Sequence, residues 1–339
     1  MRFRTYKNTD LAVSEVGFGL WTISTGWWGN FTEGEAVALM HKAFDLGITL
    51  FDAADTYGNG LSEELIAKAF PNQRDEIVIA TKVGYDFVHY GEARGRGQRE
   101  IPQDFSPEAV TGATDAALKR LKTDRIDLLQ LHNIRMEQVY DDALWKTLEK
   151  LRSEGKIRYY GIALGPAIGW VDEGLESLRE RPIVSLQTVF NLLEQEPGRA
   201  FAAEAATTEG RVGLIARVPH ASDVLSGKVT RDTAFEGDDH RAHRKRENLL
   251  DLFDKADTLG FLYGAETGRT IGQAAVAGIL AVEGFTTVLP TSVTADEVRE
   301  YATASELPLS RDEASQVDAL WRDNFGVTDR YEMPLKTSG

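Results

Sequence analysis

Short apolar runs alternate with longer amphipathic stretches along most of the chain. The short runs are rich in Val, Ile, Leu and Phe and are nearly continuous, which is typical of strands buried on both faces of a parallel sheet. We predict eight such strands, over residues 14–19, 48–55, 76–82, 126–132, 157–163, 183–189, 212–218 and 286–292.

Between these runs the apolar residues recur at helical spacing. The spacing predicts helices over residues 33–46, 62–70, 106–121, 141–152, 168–179, 199–208, 247–259, 268–282 and 294–303. Ser106 and Pro107 mark one start, because serine is a good N-cap and proline suits the first helical position. Ser62 is the expected capping residue of the helix over 62–70.

Eight strands alternating with about eight helices predict an α/β fold, either a (β/α)8 TIM barrel or a doubly wound sheet. The strand count favours the barrel, and no G-x-G-x-x-G motif follows the first strand to favour the other fold. We expect residues 1–339 to form a single barrel domain, with the segment from about 304 to 339 packing on or over the barrel.

Two long loops interrupt the alternation, at residues 84–105 after strand 3 and 219–246 after strand 7. Both follow carboxyl ends of strands, where barrel enzymes carry their functional loops. The simplest interpretation of the RAHRKRE run in the second loop is a solvated surface insertion. In the first loop, Arg94, Arg96 and Arg99 either receive an anionic substrate or balance the surrounding acids.

The composition narrows the classes of function. The net charge of −15 argues against nucleic-acid binding, which needs a basic surface. The sequence contains no cysteine, which excludes disulfides and thiolate chemistry. No apolar run reaches the roughly 18 residues of a membrane span, and the first residues lack an apolar signal core. We therefore expect a cytoplasmic protein without nucleic-acid or membrane partners; its oligomeric state stays undefined.

Polar residues stand at or just beyond the ends of the predicted strands: Asp52, Tyr57, Lys82 and His132. Each has a structural alternative when taken alone. Asp52 could cap a helix, Lys82 could extend its amine to solvent, and His132 could be a core imidazole. Because all four fall on the same face of the predicted barrel, an active site is favoured.

The segment FDAADTYG at residues 51–58, followed by Ser62-Glu63-Glu64, resembles the signature of the aldo-keto reductase family. Lys82 and His132 fall where that family has its other two catalytic residues. The resemblance extends from Gly17 to about Leu309. It implies NAD(P)-dependent interconversion of a carbonyl and an alcohol without a metal, with Tyr57 as proton donor or acceptor. Lys82 and Asp52 would tune the pKa of Tyr57, and His132 would orient the carbonyl oxygen.

The same resemblance implies positions for a nicotinamide cofactor, NAD or NADP. Gln187 would hold the carboxamide, and Arg217 stands where relatives stack an aromatic ring on the nicotinamide. Further contacts would come from Ser226 and Lys228 near the pyrophosphate, and from Ser292 and Thr294 near the adenosine ribose.

Two departures from the family pattern affect this expectation. Relatives selective for NADPH often have lysine at the position of Thr291 and arginine at that of Glu297, so we expect a preference for NAD or use of both cofactors. Ala163 and Leu164 replace a usual Ser-Asn pair that binds the carboxamide. Their loss either loosens cofactor binding or requires another group to take over.

Aromatic residues after strands 1 and 3 are candidates for the substrate wall: Trp21, Trp27, Trp28 and Tyr85, with His89 and Tyr90 nearby. Such rings stack on a sugar or an aryl aldehyde, which predicts a small aldehyde, ketone or aldose as substrate. Trp145 and Trp321 are expected to be core residues.

Two other functions stay open at this point. One is a nicotinamide-binding regulatory subunit with little turnover, which the missing Ser-Asn pair would suit. The other is a lyase or aldolase in which Lys82 forms a Schiff base. The second is less favoured because it needs neither Tyr57 nor Gln187.

Overall fold

The computed structural model describes residues 1–90, 101–165, 170–208, 210–235 and 239–330. An antiparallel hairpin of β1 (Phe3–Thr5) and β2 (Ala12–Ser14) comes first. Eight parallel strands follow: β3 (Phe18–Gly19), β4 (Leu50–Asp52), β5 (Val78–Val83), β6 (Ile126–His132), β7 (Ile157–Ala163), β8 (Ser185–Val189), β9 (Gly213–Arg217) and β10 (Phe285–Leu289).

Neighbours in the sheet follow the order of the chain from β3 to β10. The ring closes where the amide of Gly17 donates to the carbonyl of Val288 at 2.9 Å, and the amide of Val288 donates to the carbonyl of Glu15 at 2.9 Å. The predicted (β/α)8 TIM barrel is therefore confirmed. The loops after its third and seventh strands are the long ones that the sequence indicated.

Helices lie between the strands and after β10, and the predicted helices are found close to their expected positions. They are α1 (Trp21–Ser24), α2 (Glu33–Asp45), α3 (Leu61–Ala69), α4 (Phe87–Tyr90), α5 (Pro107–Leu121), α6 (Met136–Val139), α7 (Asp142–Ser153), α8 (Val171–Glu180), α9 (Gly198–Thr207), α10 (Arg246–Asp257), α11 (Ile271–Leu280), α12 (Ala295–Ala304) and α13 (Arg311–Arg322). The sequence analysis missed the N-terminal hairpin, the short helices α1, α4 and α6, and α13. Among the described residues, no helix is both long enough and apolar enough to cross a membrane.

The two predicted helix caps have different outcomes. Ser106 caps α5 as expected, because its side chain accepts a hydrogen bond from the amide of Ala109. Ser62 does not cap α3, which begins one residue earlier after Gly60 in a left-handed conformation. The buried hydroxyl of Ser62 instead donates to the carbonyl of Ala54 at 2.9 Å, and so fixes the turn that follows β4.

The barrel interior is apolar at one end and polar at the other. At the amino ends of the strands, inward-facing residues form an apolar cluster with the hairpin: Tyr6, Leu11, Val13, Leu50, Val78, Ala80, Leu128, Ile215 and Leu289. Because side chains alternate between the two faces of a strand, the residues two positions after Leu50, Ala80, Leu128 and Ile215 also face inward. They are Asp52, Lys82, Gln130 and Arg217, at the carboxyl ends where barrel enzymes have their active sites.

Helix α13 contacts the barrel through ion pairs and an aromatic ring. Glu313 pairs with Arg269, and Asp318 accepts from Arg199 at 2.9 Å. The Arg199 guanidinium also lies 4.7 Å from the ring centre of Trp321, a half-buried residue, whereas Trp145 is buried in the main core. The description of residues 1–339 as one domain stays a prediction.

Candidate active site

A buried ion pair between Asp52 and Lys82 lies at the polar end of the barrel. The Lys82 ammonium donates to Oδ1 of Asp52 at 2.5 Å and to the carbonyl of Ala53 at 2.8 Å. Its side chain is only 1% exposed, which excludes the alternative of an amine extended to solvent. Burial disfavours the ammonium, but Asp52 and Tyr57 outweigh this effect and hold the pKa of Lys82 above its ordinary value.

Two glutamines complete the surroundings of Asp52. The side-chain amides of Gln130 and Gln187 donate to its Oδ2 at 3.1 and 2.9 Å. These bonds matter because a buried charge pair is tolerated only when its remaining polar atoms are also hydrogen bonded. The sequence analysis missed Gln130, although a glutamine two residues before His132 in an apolar strand was a usable signal.

Tyr57 lies over the Lys82 ammonium, on the turn that follows β4. The ammonium nitrogen is 4.7 Å from the centre of the Tyr57 ring. The amide of Tyr57 donates to the carbonyl of Ala54 at 3.1 Å, so the turn held by Ser62 also fixes the phenol. The turn thus places the phenol ring next to a buried cation.

His132 contacts two tyrosine rings edge-on. Its ring centre is 6.1 Å from that of Tyr57 and 5.0 Å from that of Tyr85, at interplanar angles of 81° and 83°. Tyr85 is fixed in turn, because its hydroxyl accepts from the side-chain amide of Asn133 at 2.6 Å. The structure thus brings Asp52, Tyr57, Lys82 and His132 together, and the roles assigned to them stay predictions.

Arg217 extends from the end of β9 across the barrel mouth. Its guanidinium donates to the carbonyl of Leu164 at 2.6 Å, and the amide of Leu164 donates to the carbonyl of Gln187 at 2.9 Å. Burial lowers the pKa of Arg217, while the nearby Tyr57 and Asp52 oppose this shift. A charged side chain therefore lies beside the position of the Ala163-Leu164 replacement.

Two further elements meet beyond Arg217, the loop after β9 and the first turn of α12. In the loop, the hydroxyl of Ser226 donates to the carbonyl of Asp223 at 2.9 Å. Lys228 forms an ion pair with Glu297, which lies in the first turn of α12. The Glu297 carboxylate also accepts from the amides of Val293 and Thr294, at 2.7 and 3.2 Å.

The family model described as the Aldo/keto reductase family matches residues 15–322. The chain belongs to this family. It is 29% identical over 318 residues to the NADH-specific methylglyoxal reductase of Escherichia coli, covering 91% of this chain and 94% of the relative. It is also 29% identical over 323 residues to the L-glyceraldehyde 3-phosphate reductase of Escherichia coli O157:H7, covering 89% of each.

The fold comparison agrees with the sequence comparisons. The structure of the glycerol dehydrogenase from Gluconobacter oxydans superposes with a TM-score of 0.81 at 25% identity, covering 98% of this chain and 99% of that one. The chain is thus an aldo-keto reductase, an NAD(P)-dependent oxidoreductase that interconverts a carbonyl and an alcohol. The comparisons give no support to a regulatory subunit.

The residues of this aldo-keto reductase fit a nicotinamide cofactor, with one restriction. Gln187 keeps a side-chain oxygen for an amide donor, since only its nitrogen is used by Asp52. At the positions expected near the adenosine ribose, the amides of Val293 and Thr294 already donate to Glu297, and Ser292 is buried. Arg299 is paired with Asp296. A carboxylate at this helix start disfavours a phosphate there.

The candidate substrate residues of this aldo-keto reductase divide into two groups. Trp21 and Trp28 pack edge to face, with ring centres 6.4 Å apart, and Tyr85 contacts His132. Trp27 is half-buried in the same loop as Trp28. His89 and Tyr90 are exposed on α4, and their place near the substrate stays a prediction. Arg94, Arg96 and Arg99 lie outside the described residues.

The interpretation of the RAHRKRE run as a solvated insertion is wrong for two of its arginines. Arg241 pairs with Asp223, and its guanidinium lies 5.1 Å from the ring centre of Trp28. Arg244 pairs with Glu194 at 2.8 Å. Both side chains are mostly buried, at 17% and 13% exposure. The Arg241 guanidinium thus joins the loop after β9 to the loop after β3, and Arg244 joins it to the loop after β8.

Proposed function

We propose that this aldo-keto reductase reduces small aldehydes, ketones or aldoses, and oxidises the corresponding alcohols, with Tyr57 as the group that exchanges a proton with the carbonyl oxygen. The observation that carries this assignment is the buried Lys82 ammonium, held by Asp52 beneath the ring of Tyr57. No other tyrosine among the described residues lies over a buried ammonium in this way.

The cofactor supplies the hydride when bound, and the residues of the chain handle the proton. A free phenol has a pKa of about 10, too high for efficient exchange near neutral pH. The Lys82 ammonium provides a positive charge beside the phenol ring that exchanges the proton, and Asp52 holds the ammonium in place. His132, packed against Tyr57, orients the carbonyl oxygen and stabilises negative charge that develops on it.

We infer a preference for NAD over NADP. Glu297 occupies the amides at the start of α12 and adds a negative charge where a 2′-phosphate would need donors or cations. Lys228, expected as a partner of the pyrophosphate, is paired with this same Glu297. Gln187, Ser226, Ser292 and Thr294 keep their proposed cofactor roles. The NADH-specific relative from Escherichia coli supports the same preference.

We propose that Trp21, Trp27, Trp28 and Tyr85 form the substrate wall and that the substrate is a small carbonyl compound. The relatives named for methylglyoxal, glyceraldehyde 3-phosphate and glycerol support this size class. A cytoplasmic location belongs to the same proposal. The Schiff-base alternative is disfavoured because the Lys82 ammonium is charged, buried and bound to two oxygen acceptors.

The test is to follow nicotinamide absorbance with NADH and NADPH over aldehydes, ketones and aldoses in both directions, for the parent protein and for Tyr57→Phe. General acid catalysis contributes about 10²- to 10⁴-fold, so kcat should fall by that factor while cofactor affinity and the unfolding midpoint stay unchanged. Tyr140→Phe is the control, because Tyr140 is 55% exposed on the barrel exterior. Turnover of Tyr57→Phe within a few-fold of the parent would exclude Tyr57 as the acid.

A further inference from the structure

Arg217 lies at the mouth of the barrel, and among the described residues it has no carboxylate partner. Its guanidinium carries five N–H donors, and the structure records one bond for them, to the carbonyl of Leu164. Within the described part of the chain, no aspartate or glutamate pairs with Arg217 inside 4.0 Å. The side chain is neither fully buried nor fully exposed, so the remaining donors are within reach of a ligand.

The missing partner distinguishes Arg217 from the arginines of the adjacent loop. Arg241 pairs with Asp223, and Arg244 pairs with Glu194. The chain has 53 acidic residues against 38 basic ones, so carboxylates are abundant in this protein. A partly desolvated guanidinium without a carboxylate partner is poorly stabilised in the free enzyme. Its charge is therefore available to an anion that enters the site.

Arg217 lies on the same side of the barrel as the residues of the candidate active site. The residue two positions before it, Ile215, belongs to the apolar cluster inside the barrel, so Arg217 faces the interior rather than the helices. Its bond to Leu164 draws the guanidinium toward the end of β7, where Ala163 lies in register with both His132 and Gln187. The guanidinium therefore shares the barrel mouth with the residues proposed to bind the carbonyl.

We propose that Arg217 binds an anionic group of the substrate, a carboxylate or a phosphate, so that the preferred substrates are small anionic aldehydes and ketones. This inference rests on the proposed function and narrows its substrate class. A guanidinium matches the oxygens of carboxylate and phosphate groups with two parallel N–H donors. Stacking on a cofactor ring would use the face of the same guanidinium, and anion binding uses its edge.

The experiment compares carbonyl pairs that differ in one anionic group. The pairs are glyceraldehyde with glyceraldehyde 3-phosphate, and butanal with succinic semialdehyde, each reduced with NADH at constant ionic strength. In the parent protein, kcat/KM should be higher for the anionic member of at least one pair. A charge-assisted hydrogen bond corresponds to about 10- to 100-fold, so Arg217→Gln should lower the ratio of kcat/KM for the anionic member to kcat/KM for the neutral member by that factor, whatever loss the two substrates share through the cofactor.

Two variants control this comparison. Arg217→Lys keeps the charge without the paired donors and should retain part of the preference. Arg179→Gln removes the same charge from the exposed end of α8, and should leave the ratio between the two substrates unchanged. The unfolding midpoint of each variant identifies any loss that results from misfolding.

A binding measurement gives a second readout that needs no turnover. Inorganic phosphate and malonate should raise the unfolding midpoint of the NADH-loaded parent protein, but not that of Arg217→Gln. Equal losses for neutral and anionic substrates in Arg217→Gln would overturn the inference and leave the proposed function intact. If no carbonyl compound is turned over, the proposed function fails, and the absence of stabilisation by both anions would then overturn the inference as well.

Discussion

The side-chain amide of Gln187 donates to Oδ2 of Asp52 at 2.9 Å, although 135 residues separate them along the chain. Asp52 is the last residue of β4 and Gln187 lies within β8, and both side chains face the interior of the barrel. The contact links the residue expected to hold the nicotinamide carboxamide with the ion pair beneath Tyr57. If Gln187 has its proposed role, a substitution there should affect both cofactor binding and the ion pair of Asp52 and Lys82.

Gln187→Glu is expected to destabilise the protein more than Gln187→Leu. Glutamate would place a second carboxylate against Asp52 in a buried site, whereas leucine removes one donor and leaves those of Lys82 and Gln130 in place. Chemical unfolding should show a loss of about 2–4 kcal/mol for glutamate and about 1–2 kcal/mol for leucine. Gln316→Glu, exposed on α13, is the matched control and should change stability little. The opposite order of the two losses would contradict this account of the site.

Asp55 is a buried carboxyl group that the proposed chemistry does not use. Its side-chain oxygens are sealed from solvent and find no side-chain partner among the described residues. Burial, followed by the nearby carboxylate of Glu63, raises the pKa of Asp55 well above its ordinary value, against the opposing effect of Arg120. At pH values between the unfolded and the folded pKa of Asp55, the folded protein binds a proton that the unfolded chain has released.

This shift predicts a pH dependence of stability. A carboxyl group whose pKa is raised on folding contributes stability that is complete below its unfolded pKa of about 4 and is lost as the pH rises toward the folded value. Asp55→Asn mimics the protonated form and lacks this dependence. The free energy of unfolding of the variant, relative to that of the parent protein, should increase by about 1.4 kcal/mol per pH unit from about pH 4 up to the raised pKa of Asp55.

Unfolding by urea at pH 5, 6, 7 and 8 measures this difference directly. Asp232→Asn, at an exposed position in the loop after β9, is the control and should follow the parent protein at every pH. A difference between Asp55→Asn and the parent protein that stays constant across the series would mean that Asp55 is ionised in the folded state.

Glu297 is expected to set the discrimination between the two nicotinamide cofactors. Glu297→Gln keeps acceptors for the amides that open α12 but removes the negative charge, and Glu297→Arg adds a cation. Glu297→Gln removes the repulsion between the carboxylate and the 2′-phosphate, so kcat/KM for NADPH should rise about tenfold, which corresponds to about 1.4 kcal/mol. The rise should be larger in Glu297→Arg. The value for NADH should change less than threefold.

Two control variants test whether this change in cofactor use is due to the charge of Glu297. Lys228→Met breaks the ion pair but keeps the carboxylate, so it should not improve the use of NADPH. Glu306→Gln, an exposed change of the same charge that is remote from the start of α12, controls for net charge. A parent protein that already prefers NADPH by more than a hundredfold would show that Glu297 does not act on the cofactor.

The sequence by itself determined the barrel and most of the candidate active site. Nearly continuous apolar runs predict strands covered on both faces, because such strands have no side that can remain polar. The polar residues at the ends of those runs then predict a single polar face, and Asp52, Tyr57, Lys82 and His132 do come together there. These are local patterns, and they can be recognised without knowledge of any distant contact.

The tertiary structure alone decided which polar side chains pair with each other. Four contacts join residues on different strands or loops. They are the hydrogen bonds of Gln130 and Gln187 to Asp52, the ion pair of Lys228 with Glu297, and the hydrogen bond of Arg217 to Leu164. Local periodicity places each residue on the inner or outer face of its strand. The register of the closed ring sets the distances between residues far apart in the chain, and therefore which charges are neutralised and which remain available to a ligand.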